Sequence, residues 1–413
     1  MVRARTGSIL LAAVALSAAA CGGGGDSTAG SGSKAPLKIG VINPFSGATA
    51  PGGIATTEGY EVAVDEVNAK GGVMGRQVQL LRGDASTPDA GISEVNRLAT
   101  SDKVDLFMGT YLSGIANTAS ETAARSNKLY WETNALATNL TERKLANFIR
   151  PGANSTSFAQ VSSDGLAKVA APNVGKTMQG LRVCLSHEQS IYGTSVAEAQ
   201  KGLMSAAGAV VTENVAYDPA APDLGNVVIR CQKANTEAWV STGYVPDSNL
   251  LLRTAAQQGF NPPIVMMVGS ADTKETAAAV PDPILTGVYV TAFAHNDAAE
   301  AYAPGIKEFL AAYQKKYSKD PTFPQTTVAY SGAKMLFEAL DKAKSTDPAA
   351  VRKVLPSLEK PLGTSAAGFG EKFDDKFQNT LALPTVVQWQ SGKTVTVYPE
   401  NAAPAGAKPV AKG

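Results

Sequence analysis

Cysteine and histidine are scarce in this chain. Its 413 residues contain three cysteines, Cys21, Cys184 and Cys231, and two histidines, His187 and His295. The histidines stand far apart with no cysteine cluster nearby, so no metal site is expected. A charge bias is also missing, with 37 basic against 36 acidic residues. A nucleic-acid binder gathers a basic excess on one face, and none is visible. Beyond the N-terminal leader no apolar run approaches the roughly 20 residues that span a bilayer. The motifs GxSxG, HExxH, CxxC and GxxxxGK followed by Ser or Thr are absent, which removes support for nucleophile-elbow, zincin, dithiol and P-loop chemistry. GGVMG, Gly71 to Gly75, follows a helix and precedes a strand. That is the reverse of a dinucleotide loop, and it reads as a cap and a turn. GFGEKF at Gly368 is another turn. His187-Glu188 could form an acid–base pair, but no nucleophile motif accompanies it. No cofactor is expected, and the chain reads as a binder, not an enzyme.

The N-terminus has the order of a secretory leader: Arg3 and Arg5, an apolar stretch from Ile9 to Leu16, then small residues. Cys21 directly after SAAA resembles the lipobox of bacterial lipoproteins, in which the thiol is acylated. Ala18 stands where that motif usually carries a larger aliphatic residue, and an ordinary leader cut after Ala20 is the alternative. Positions 1–20 are read as the signal peptide and 21–36 as a lipidated cysteine with a Gly/Ser tether, roughly 20 Å long on average. The chain beyond Cys21 is expected to lie outside the cytoplasm, anchored to the cell membrane.

The remainder is too long for one ordinary core and suits two domains. Strand-like runs alternate with helical ones. LKIGVI, QVQLLRGD, VDLFMG, KLYWE, LRVCLS, AVVTENV, EAWVSTG, PIVMMVG and GVYVTAF read as strands. Helical stretches lie between them, the first marked by an apolar stripe of Tyr60, Ala63, Val64 and Val67. Longer helices are expected around Ala303–Tyr317 and Thr327–Lys342, then a hairpin, TVVQWQSGKTVTVY. Residues 399–413 are expected to be frayed. Such repeats imply an α/β fold with parallel sheets, in which ligands sit at the carboxyl ends of the strands. Cys184 falls in a strand and Cys231 near the end of a helix of the same domain. They form one disulfide or remain two buried thiols.

LKIGVINPFSG, AVDEVNAKGGVMGRQVQLLRGDASTPDAG, GTYLSG, ATNLTER, IYGTSVAEAQKGL and STGYVPDSNLLLRTAAQQGF succeed one another in the order found in a known family. Over Leu37 to about Tyr398 the chain resembles the leucine/isoleucine/valine-binding family of bacterial solute-binding proteins, with the type I periplasmic binding fold. The resemblance implies two Rossmann-like lobes joined by a three-crossing hinge: 37–152 with 293–367, and 153–292 with 368–398. It further implies capture of a small solute (an amino acid, or a related amide or carboxylate) by a monomer that serves the permease and ATPase subunits of an ABC importer. A sensor of the same fold and an aromatic-acid binder are alternatives.

By the same resemblance, ligand contacts fall to Ser113 with Tyr111 beside it, to Asn134 and Ala135, to Tyr192 and Tyr244, and to Asp272 as the partner of an ammonium. Ser270 or Ala271 stands at the point where the family carries its acidic residue, and Asp272 comes slightly later. Ser113 could also cap a helix. Asp272 could be no more than an N-cap, and the tyrosines could simply pack a lobe face. Trp131 and Glu132 are either cleft or core. Leu136 replaces a hydroxyl residue common in the family, and the loop ATAPGG lacks an aromatic that the family often carries there.

Overall fold

The structure, a computed structural model, describes residues 35–412. The leader, Cys21 and the tether up to residue 34 lie outside the described residues. Among the described residues, five strands form a wholly parallel sheet. They are β1 (Leu37–Asn43), β2 (Val78–Asp84), β3 (Leu106–Gly109), β4 (Tyr130–Glu132) and β5 (Phe148–Ile149), in the order β2-β1-β3-β4-β5. The second sheet contains β6 (Arg182–Glu188), β7 (Val210–Tyr217), β8 (Ala238–Thr242), β9 (Ile264–Val268), β10 (Tyr289–Ala292), β11 (Thr385–Gln390) and β12 (Lys393–Tyr398). Its order is β12-β11-β10-β9-β8-β6-β7. Strands β6 to β10 run parallel, and β11 and β12 close one edge as an antiparallel hairpin.

Burial explains why these segments are strands. β1 lies between β2 and β3, and its residues are buried almost throughout, as an aliphatic run with helices on both faces requires. Each of the nine runs read as strands falls on an observed strand. The two-residue β5 was too short to leave a periodic signal.

The chain passes between the sheets three times. It leaves β5 for β6. After β10 it returns, and the helices Ile306–Tyr317 and Gln325–Ala343 pack on the helix Ala50–Ala69. Tyr313, Tyr317 and Tyr330 donate hydrogen bonds to Glu58, Glu61 and Glu66 of that helix. It then crosses again to reach β11. The strap Lys360–Leu381 is tied to the first crossing by backbone bonds from Arg150 N–H to Phe377 O and from Asn379 N–H to Arg150 O.

Cys184 on β6 and Cys231 on the helix Gly225–Lys233 are joined by a disulfide, with Cα atoms 5.5 Å apart. The C-terminal segment corrects an expectation: residues 399–412 are not frayed but packed. The Gln388 side chain donates to Val410 O at 2.7 Å and accepts from Val410 N–H at 2.8 Å, while Ala402 is buried. An Ala/Pro/Lys composition gives no sign of such docking, because the partner groups lie on β11.

Candidate functional site

The loops after successive strands converge on one cavity. Tyr111 and Ser113 follow β3, Asn134 and Leu136 follow β4, Tyr192 follows β6, Tyr244 follows β8, Gly269 follows β9 and Phe293 follows β10. Phe158 and Gln325 complete the lining. This is the location that parallel α/β topology predicts. Five of the seven expected contact residues therefore meet here: Tyr111, Ser113, Asn134, Tyr192 and Tyr244. Residues from both sheets face each other, with ring centroids 5.7 Å apart for Tyr111–Tyr244 and 5.2 Å for Tyr192–Tyr244. The cavity volume is about 20 Å³, close to that of one water. A solute as large as an amino acid enters only if these rings separate.

Local sequence explains the placement. Ser113 opens the helix Ser113–Arg125, and its Oγ accepts from the N–H groups of Leu136 and Ala137 at 3.1 and 3.2 Å. With its lone pairs engaged, the hydroxyl keeps its proton to donate. Tyr192 stands in the first turn of the helix Ile191–Ala206, which Ser190 caps, and its hydroxyl donates to Val268 O at 3.0 Å. Tyr192 therefore offers the site its ring, and its hydroxyl has no proton left to donate. Tyr244 is held by its N–H, which donates to Asp247 at 3.1 Å.

Two glycines make room for the rings. A Cβ on Gly52 would lie 2.4 Å from the Tyr111 ring, and one on Gly269 would lie 2.1 Å from Tyr192 Oη. Gly269 also has φ +72, a conformation that other residues rarely adopt. Gly52 belongs to the ATAPGG stretch, so Tyr111 packs directly on the first turn of the helix Ala50–Ala69.

The structure does not bring two expected residues to the cavity. Ala135 uses its N–H on Glu132 Oε1 at 2.9 Å and its carbonyl on Arg150 at 3.0 Å. Asp272 faces a different cavity, where its Oδ2 lies 2.9 Å from His295 Nε2, and the next residue, Thr273, is the helix N-cap. Phe158, Phe293 and Gln325 were not anticipated. Phe293 could have been found as the residue just past a strand end. Phe158 and Gln325 sit in first turns of helices that only the crossing geometry aims at the cavity. Trp131 is core, fully buried, with its ring N–H on Gly332 O.

Glu132 braces the site from below. Its Oε1 accepts from the N–H groups of Thr110, Asn134 and Ala135, tying the loops after β3 and β4 together. Burial pushes its carboxyl up to about 7, against the pull of those three bonds. Burial likewise raises Asp247 to about 7, although it accepts from the Tyr217 hydroxyl. Both folded values lie above the unfolded ones, 4.5 and 3.8. The folded protein therefore holds these protons more tightly. Their stabilising effect is fully present below about pH 4 and is lost as pH rises through about 7, at about 1.4 kcal/mol per unit of pKa difference. Urea unfolding is expected to show a midpoint that falls between pH 5 and 8, with a shallower fall for Glu132→Gln. A midpoint that rises across this range would refute the assignment.

Comparison with known proteins gives consistent results. The family model described as periplasmic binding protein matches residues 36–394. Leu/Ile/Val-binding protein homolog 7 of Brucella suis is 36% identical over 370 residues, covering 89% of this chain and 93% of the relative. The branched-chain amino acid transporter substrate-binding protein LivJ of Streptococcus pneumoniae, solved with isoleucine, superposes with a TM-score of 0.74 at 20% identity, covering 88% of this chain and 100% of that one. A solute-binding protein of an ABC transporter from R. palustris, solved with benzoate, superposes at 0.73 with 18% identity, covering 91% and 99%. At such identities the two solved structures speak to the fold alone.

Proposed function

The chain belongs to the periplasmic binding protein family, a family of solute-binding proteins and not of enzymes, and from that premise we propose that it is the substrate-binding subunit of an ABC importer. In this reading the segments 37–152 and 293–367 form one lobe, and 153–292 and 368–398 the other. The lobes part and close on the three crossings to admit and enclose one small solute, which the membrane subunits then take over. Acylation of Cys21 would keep the protein near them. The solute is an amino acid or a related amide or carboxylate.

One observation carries this reading: Tyr111, Ser113 and Asn134 from the strand ends of the first sheet meet Tyr192 and Tyr244 from those of the second around one cavity. The Ser113 hydroxyl and the helix N-terminus that it opens favour a carboxylate, because N–H groups and the helix dipole converge there. The rings cover the apolar part, and closure excludes water. Asp272 lies outside this lining, with its Oδ2 on His295.

The test is a thermal-shift screen over amino acids, amides and aromatic acids, followed by X-ray scattering. A true ligand at 100 times its dissociation constant adds about 2.7 kcal/mol, enough to raise the midpoint by a few degrees. The radius of gyration should shrink with it. Unchanged midpoints and scattering across the panel, or consumption of any solute, would defeat the proposal. An aromatic acid is the second reading, favoured by the five rings of Tyr111, Phe158, Tyr192, Tyr244 and Phe293 around the cavity.

A further inference from the structure

None of the ten residues that line the cavity carries an ionised side chain, yet two of them carry buried oxygens without a hydrogen-bond partner: Asn134 Oδ1 and Gln325 Oε1. Both residues are more than nine-tenths buried, at 4% and 7% exposure. The orientation of the Asn134 amide is fixed by its surroundings. Its Nδ2 donates to Thr56 Oγ1 at 3.1 Å and to the backbone carbonyl of Gln325 at 3.4 Å. A carbonyl only accepts, and the Thr56 hydroxyl already donates its own proton to Gly52 O. The nitrogen must therefore face these two groups, and Oδ1 is an acceptor in need of a donor.

No carboxylate lines the cavity, although Glu132 Oε2 and Asp272 Oδ1 nearby are likewise without a partner. Glu132 Oε1 holds three backbone N–H groups, Asp247 holds the Tyr217 hydroxyl and Tyr244 N–H, and Asp272 pairs with His295. An unmet buried acceptor costs about 1–3 kcal/mol. A solute that fills the cavity without supplying a donor leaves Asn134 Oδ1 in that condition, whereas Gln325 can turn its amide over to donate.

Resting on the solute-binding reading above, we infer that Asn134 and Gln325 form a neutral acceptor pair that receives N–H donors of the solute. The substrate class is thus small molecules bearing a primary ammonium or amide N–H, in preference to the same carbon skeleton carrying only an acid. Asn134 is the specificity residue of the pair, because its amide cannot turn over. Thr56 and the Gln325 backbone hold its orientation, whereas the Gln325 carboxamide stands at the end of a flexible stem.

The test is calorimetric titration with matched solutes: leucine and 4-methylpentanamide against 4-methylpentanoate, and benzamide against benzoate. The wild-type protein should bind the N–H member at least about tenfold more tightly than its acid partner. Asn134→Leu should narrow that ratio about tenfold, and Gln325→Met, of similar length, should act in the same direction. Leucine against the pentanamide separates an ammonium donor from an amide one. Benzoate or 4-methylpentanoate binding as tightly as its partner overturns the inference while leaving solute binding intact. So does an unchanged ratio in a folded Asn134→Leu protein. If no solute of either chemistry binds, the solute-binding reading falls and this inference with it.

Discussion

Replacing Arg150 with methionine is expected to destabilise the protein by about 3–5 kcal/mol and to weaken solute binding at the same time. Arg150 is fully buried at the first crossing. Its Nε donates to Gln378 Oε1, one terminal nitrogen to the carbonyls of Ala135 at 3.0 Å and Ala137 at 2.8 Å, and the other to Thr141 Oγ1 at 3.3 Å. Gln378 in turn donates to Gly152 O at 2.8 Å, and Asn379 to Pro151 O at 3.0 Å. One guanidinium thus joins the loop carrying Asn134 and Leu136 to the strap that crosses back between the sheets. Burial lowers its pKa to about 9, with Glu132 pulling the other way, so it stays charged at neutral pH. Methionine would fill the space but leave those acceptors without donors, which is the costly half of losing a hydrogen bond. Lysine would keep the charge but not the planar fork, and should recover only part of the loss. Urea unfolding and titration of the same samples supply both readouts. A change below about 1 kcal/mol with unaltered binding would mean that the clamp is not needed.

The second large effect concerns stability without function. Removing the disulfide in the double variant Cys184→Ala/Cys231→Ala should cost about 2–4 kcal/mol. The bond closes a loop with a sequence separation of 47. For that length the chain-entropy relation gives about 4 kcal/mol, and measured values usually fall below it. Solute affinity should change little. Cys184 lies toward the beginning of β6, whereas the cavity lies past the far end of that strand, beyond Glu188. Calorimetric melting should therefore shift down by several degrees while the dissociation constant holds within about twofold. A lost affinity in a folded double variant would show that the bond organises the site.

These two cases differ in how far the sequence exposes them. The cysteines can be placed in one domain by strand–helix alternation, because the pattern assigns each to an element. That pattern does not say whether the strand and the helix bring the sulfurs together. Arg150 leaves no such sign. It comes after a two-residue strand, and its partners Gln378 and Asn379 lie in a strap with little regular structure.

The same contrast runs through the site. Tyr111, Ser113, Asn134, Tyr192 and Tyr244 could be nominated because each follows a strand at the carboxyl edge of a parallel sheet, where loops must point at the crevice. Asp272 also follows such a strand, yet it lines a neighbouring cavity and pairs with a histidine 23 residues further along. Residues 399–412 read as tail by composition but dock on Gln388, whose side chain satisfies the Val410 peptide on both sides.

By itself the sequence determined the elements and their order. Hydrophobic periodicity and turn residues act over a few positions, and parallel α/β topology then sends every strand-following loop to one edge. Only the tertiary structure decided which of those loops reach the cavity, where Gln325 and Phe158 join them, and which buried amide oxygens lack a donor. Those outcomes depend on groups far apart in the chain meeting across a crossing, and local periodicity carries no record of such meetings.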